Sequence, residues 1–229
     1  MKSLFLRFFE SADALRGFHE RKIAPRPRNA RRENVGIAVI DDEPFAPQSN
    51  LSSYGFNVVP LGDLRSVNGI AQYDIILCDL MGVGQHFDDK LQGASIIREI
   101  KRVFPEKFVI AYTGAAMNAN IARQATEAAD DIVRKDVDIE DWVQTLDKYT
   151  DLAQDPYCIW LRIRAGLAAR GAETKDILRL EDAYVRSVQN GDEDFSEMAE
   201  ASRGTRVAED IRSIIQGLIS SAAIAFMFA

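Results

Sequence analysis

The chain has 229 residues, 47% of them hydrophobic and 28% charged, with a formal net charge of −7. That is enough apolar matter to bury a sizeable core, so wholesale disorder is excluded and one ordinary domain with a smaller companion fits the length. Cys78 and Cys158 are the only cysteines, His19 and His86 the only histidines, and no CxxC or Cys/His spacing occurs. A disulfide framework, a structural zinc site and His-rich metal chemistry are therefore excluded.

The charge is uneven. Residues 1–34 carry nine Lys/Arg against four Asp/Glu, whereas residues 35–150 balance to −8 and residues 151–229 to −4. A basic arm thus precedes an acidic body. Such an arm either attracts nucleic acid, anionic lipid or an acidic partner, or lies down on the body beside it. Within its first 23 residues Phe5, Phe8, Ala12 and Leu15 stand at helical spacing and predict an amphipathic helix, while Arg7 and Glu10 interrupt the apolar run a signal peptide requires. Ala24-Pro25-Arg26-Pro27-Arg28 cannot continue that helix and predicts an extended basic linker.

From Val35 the period changes. VGIAVI, FNVVP, DIILC, FVIAYT and DIVR are short apolar runs separated by a Leu51-containing segment, a Gly69-terminated segment, SIIREIKRVF, NIARQATEAA and IEDWVQTLDKY. Apolar strands alternating with helical patterns predict βαβ units and a five-stranded, doubly wound parallel sheet over residues 35–150. Its site is expected beyond the carboxyl ends of the strands.

Those ends carry the chemistry. The first strand runs into Asp41-Asp42-Glu43, the third into Asp79, the fourth into Thr113 and the fifth into Lys135. Carboxylates crowded at one sheet edge repel one another unless a cation joins them, and hard oxygen donors with open positions suit Mg²⁺. A hydroxyl and an ammonium beside them form a cradle for a transferred phosphoryl group. Gly82-Val83-Gly84 lacks the third glycine of a dinucleotide loop, and Met81 stands where a haloacid-dehalogenase-like phosphatase needs its second aspartate.

This ordered set, DDE, D, T and K at successive strand ends, resembles the receiver domain of two-component response regulators over about residues 35–148. The resemblance implies a flavodoxin-like fold and a cytoplasmic signalling protein with no enzymatic output. It implies that Asp79 accepts a phosphoryl group from a histidine kinase or phosphotransfer protein. It also implies that Asp42, Asp79 and the Met81 carbonyl hold Mg²⁺ with Asp41 acting through water, and that Thr113 and Lys135 contact the phosphoryl oxygens. Some positions differ from the family pattern. Leu80-Met81-Gly82 replaces the usual Met-Pro turn, and the stretch from Asp79 to Gly93 is longer. Ile132 stands where an aromatic switch residue is usual, and Asp136 where a proline follows the lysine. The alternative is a pseudo-receiver scaffold that takes no phosphate and assembles through its terminal helices.

Beyond Tyr149 only helical patterns remain, stopped near Gly171, Gly191 and Gly204. Ile159, Trp160, Ile163 and Leu167 form one stripe, and Ile177, Leu180, Tyr184 and Val188 another, each a core face or a dimer seam. Residues 151–229 thus read as a helical output or oligomerisation region, serving a downstream protein partner or a second copy. DFSEMAEASRGTRVAEDIRSII is too acidic for a DNA-recognition helix. The uncharged segment 214–229 is expected to be a buried or oligomerising helix, with membrane anchoring the weaker reading.

Overall fold

The computed structural model describes residues 10–18, 27–114 and 119–228. Five strands, β1 (Gly36–Ile40), β2 (Asn57–Pro60), β3 (Ile75–Asp79), β4 (Phe108–Thr113) and β5 (Asp131–Arg134), form one parallel sheet in the order β2-β1-β3-β4-β5. This is the doubly wound, flavodoxin-like order, with the topological switch between β1 and β3.

Strand period decides which side chain goes where. Ala38, Ile40, Ile76, Cys78, Val109 and Ala111 face one core, packed under α3 (Gly93–Val103) and α4 (Ala119–Ala128). Ile37, Val39, Ile75, Leu77, Ile110 and Tyr112 face the other, under α2 (Gln48–Ser53) and α5 (Ile139–Ala153). Each buried Val, Leu or Ile among them contributes about 1.5–3 kcal/mol, so a one-residue slip of register would reverse the pattern at great cost. The Gly69-terminated segment forms only a 3-10 turn, Val67–Ile70, capped by the Ser66 hydroxyl.

Among the described residues of the basic arm, 28–33 lie on the acidic body. Residues 28–33 form a short helix, α1 (Arg28–Glu33), where the sequence pattern gave linker as far as Arg28. It is fixed from outside, because the buried Arg32 guanidinium donates to both oxygens of Asp147 at 2.7 Å and to the Tyr54 carbonyl, and stacks over Phe56. Arg31 pairs with Asp151 and its carbonyl accepts from Gln154. Upstream, the described part of the expected helix, residues 10–18, holds a 3-10 turn at Ala12–Leu15, capped by Ser11 and followed by Gly17 at φ +61°. Glu181 and Asp182 accept from the backbone N–H groups of Ala12 and Glu10. Phe5 and Phe8 lie outside the described residues.

Helices α6 (Pro156–Ala169), α7 (Thr174–Asn190), α8 (Ser196–Ser202), α9 (Ala208–Ile219) and α10 (Ala222–Phe228) share a third core, which also takes in Ala12, Leu15 and Phe18. Both sequence stripes are core in this chain: Ile159, Trp160, Ile163 and Leu167 meet Leu180, Tyr184 and Val188 there. The expected single helix over 214–229 is instead two, α9 and α10, bent by 68° at Ser220-Ser221. Ser221 supplies the reason, its hydroxyl accepting from the Ile224 N–H and bonding to Asp74. Among the described residues no single helix is long and apolar enough to cross a membrane, although the bent pair together has the length and composition.

The helical region joins the amino ends of the strands, opposite the acidic edge. Lys107, just before β4, donates to the Gly217 carbonyl in α9 at 3.0 Å. Arg162 of α6 donates to Asp130 and to the Lys107 carbonyl and stacks over Phe108. Glu106 is buried in this interface without a hydrogen-bond partner for either carboxylate oxygen, and burial pushes it up to about 7.

Candidate functional site

Register builds the site. Ile40 pairs with Cys78, so Asp41 and Asp79 emerge side by side at the carboxyl ends of adjacent strands. Asp79 pairs with Tyr112 and Thr113 with Arg134, which places Thr113 and Lys135 one step further along the same edge. Asp41, Asp42 and Asp79 each present a carboxylate oxygen, all within 4.8 Å of one another. Asp41 and Asp79 are buried and Asp42 is exposed, giving the cluster a closed floor and an open side.

Lys135 spans the two buried carboxylates, donating to Asp79 Oδ2 at 2.7 Å and to Asp41 Oδ2 at 3.1 Å. Its own N–H donates to the Thr113 carbonyl at 2.9 Å, which holds the two residues side by side. Asp79 Oδ1 accepts from the Leu80 N–H at 2.7 Å and the Met81 N–H at 3.3 Å. Burial raises the Asp79 carboxyl above its usual value, and hydrogen bonding and charge from Lys135 oppose that rise. Asp41 Oδ1 accepts from the Glu43 N–H, while Oδ2 also accepts the Tyr112 hydroxyl at 2.7 Å.

The loop after Asp79 is closed on itself. Gly82, at φ +85°, has no room for a Cβ because the Asp42 carboxylate occupies that space. Its N–H donates to Gln92 Oε1 at 3.0 Å, and the Gly84 N–H donates to Asp63 at 2.8 Å. At the far end Gly93 packs directly on the Asp79 carbonyl, so α3 begins against the backbone of Asp79. The extra loop length is thus folded around the acidic cluster. His86 is exposed on this loop beside Phe87, outside the cluster.

All the side chains that the sequence placed at the site are brought to one edge, with the Met81 backbone beside them. Three carboxylates with one open side fit a hard, oxygen-seeking cation such as Mg²⁺. The sequence reading missed Tyr112, Gly82, Gln92 and Gly93. Strand parity would have found the first of these, because Asp41, Asp79, Tyr112 and Lys135 all fall on the α5 side of their strands. Ile132, at the position of the expected aromatic, is exposed on β5.

No family model matches this sequence, and no curated protein matches it. Solved structures that resemble it are receiver domains. A CheY-like receiver from Methanospirillum hungatei is 16% identical over 52% of this chain and 96% of its own, with a TM-score of 0.44. The beryllofluoride-activated N-terminal receiver domain of RstA from Klebsiella pneumoniae is 18% identical over 50% of this chain and 97% of its own, with a TM-score of 0.43. The receiver domain of an HD domain-containing protein from Pseudomonas fluorescens is 16% identical over 58% of this chain and 94% of its own, with a TM-score of 0.46.

Proposed function

We propose that this chain is a response-regulator-like signalling module in which Asp79 takes a phosphoryl group from the phosphohistidine of a histidine kinase or phosphotransfer protein. The observation that carries the reading is the placement of Lys135, bridging Asp79 and Asp41 beside the open face of Asp42. Asp79 Oδ2 attacks phosphorus in line, the P–N bond breaks, and the departing imidazole keeps the electron pair of that bond and takes a proton from solvent. Lys135 follows the new charge from the carboxylate to the phosphoryl oxygens. Thr113 lies at the edge where the product's oxygens arrive, and its hydroxyl senses them.

Asp41, Asp42, Asp79 and the Met81 carbonyl would hold Mg²⁺, which when bound neutralises charge on the transferred group. The output is a protein–protein or self-association surface that responds to the state of the site, and the module acts in the cytoplasm. The helical region supports this reading, since Lys107 and Arg162 bind it firmly to the sheet.

Beryllofluoride, a phosphoryl mimic, gives the test. In ¹⁹F NMR a bound resonance is expected with Mg²⁺ and wild-type protein, and none with Asp79→Asn. Absence of a bound resonance from wild type at saturating Mg²⁺ would overturn the reading in favour of a scaffold that takes no phosphate.

A further inference from the structure

Tyr112 is the one aromatic residue on the strands that touches the acidic cluster, and nothing in the reading above gives it a role. It is fully buried on β4, immediately before Thr113, and its hydroxyl reaches Asp41 Oδ2 at 2.7 Å. A buried phenol needs an acceptor, and a carboxylate makes a strong one. The choice of acceptor has a consequence for the site. Asp41 Oδ2 already accepts from Lys135, and Oδ1 from the Glu43 N–H. A cation drawing on Asp41 through Oδ2 competes with Tyr112 for that oxygen.

The ring is also the end of an aromatic cluster. Its centroid lies 5.4 Å from Phe45 and 5.9 Å from Trp142, and those two are 5.4 Å apart edge to face. Trp142 stands near the start of α5, which runs into α6 with only Gln154 and Asp155 between. A pocket of about 170 Å³, open on one side, is bounded by Asp41, Phe45, Tyr112, Lys135 and Trp142 among others. The pocket adjoins both the charged cluster and the aromatic cluster.

We propose that Tyr112 is a positioning residue whose hydroxyl competes with the bound cation for Asp41 and whose ring passes the outcome to Trp142 on α5. The proposal rests on the metal-dependent phosphoacceptor reading. With a cation held at Asp41 Oδ2, the Tyr112 phenol would give up that oxygen, its ring would turn against Trp142, and Trp142 would repack. The coupling thus leaves the site through β4 and α5.

The test uses the full chain labelled with 5-fluorotryptophan, whose two indole signals, Trp142 and Trp160, are assigned by Trp160→Phe. Mg²⁺ is expected to move the Trp142 signal and leave Trp160 in place. In Tyr112→Phe, Mg²⁺, measured by displacement of Mn²⁺ in EPR, is expected to bind at least about fivefold more tightly, with the Trp142 response lost. A thermal melt of the variant checks that the fold is kept. Unchanged or weaker affinity in the variant, or a Trp142 response that persists, overturns the proposal. A wild type that binds metal without moving Trp142 overturns the proposal and leaves the phosphoacceptor reading standing. A wild type that binds neither Mg²⁺ nor Mn²⁺ overturns both.

Discussion

Gly82 lies under the carboxylate of Asp42 so closely that a Cβ at that position would overlap it. The exposed arm of the acidic cluster is therefore held at its height by the absence of a side chain. Gly82→Ala is expected to push Asp42 away from Asp41 and Asp79 and to weaken Mg²⁺ binding by at least about tenfold. The φ of +85° adds strain of roughly 1–2 kcal/mol for any L-residue. Calorimetric titration with Mg²⁺, alongside a thermal melt, checks both effects; unchanged affinity would show that Asp42 is not a ligand.

Lys135 is at once the cation that neutralises Asp41 and Asp79 and the group expected to follow the phosphoryl charge. Lys135→Met should then separate two affinities. Beryllofluoride binding is expected to fall by more than about tenfold, the loss of one charge-assisted contact. Mg²⁺ alone is expected to bind at least as tightly, because a competing cation has gone. Parallel weakening of both would contradict this division of roles.

At the opposite end of the sheet, Glu106 makes stability depend on pH. Burial raises its carboxyl to about 7, so the folded chain holds this proton more tightly than the unfolded chain does. Its contribution is fully present below the ordinary carboxylate value and is lost as pH rises through 7. Glu106→Gln removes that dependence. The variant is expected to exceed wild type at pH 8 by up to about 3 kcal/mol, with the difference closing toward pH 5. Urea unfolding at the two pH values measures it, and a difference independent of pH would contradict the assignment.

Arg32 anchors helix α1 to α5 and to the Tyr54 carbonyl. Its guanidinium satisfies Asp147 and the Tyr54 carbonyl and covers Phe56, and its removal leaves the partly buried Asp147 with only the long 3.9 Å contact to the exposed Arg28. Arg32→Ala is expected to cost about 2–4 kcal/mol in urea unfolding. Asp147→Asn together with Arg32→Met should recover part of that loss, since no charge is then stranded.

The sheet was legible because its three central strands are buried on both faces and bounded by polar stops, so VGIAVI, DIILC and FVIAYT carry the strand signal without help from elsewhere. The acidic cluster followed from strand ends alone, because parallel register brings Asp41 and Asp79 level whatever the loops do. Helix α1 was hidden because its six residues have no apolar stripe and depend on Asp147 and Asp151, more than a hundred positions away. The break between α9 and α10 was hidden for a similar reason: Ser221 bends the chain by bonding to Asp74 of the distant sheet, and no Gly or Pro marks the place. Tyr112 read as ordinary strand core. Its hydroxyl acquires meaning only when Asp41 is placed beside it.

The most direct test of the central claim is intact-mass analysis after incubation with acetyl phosphate and Mg²⁺, on wild type and Asp79→Asn. The account predicts a labile gain of one phosphoryl mass in wild type, dependent on Mg²⁺ and absent from the variant. A gain that persists in Asp79→Asn, or no gain in wild type with Mg²⁺ bound, would contradict Asp79 as the phosphoacceptor.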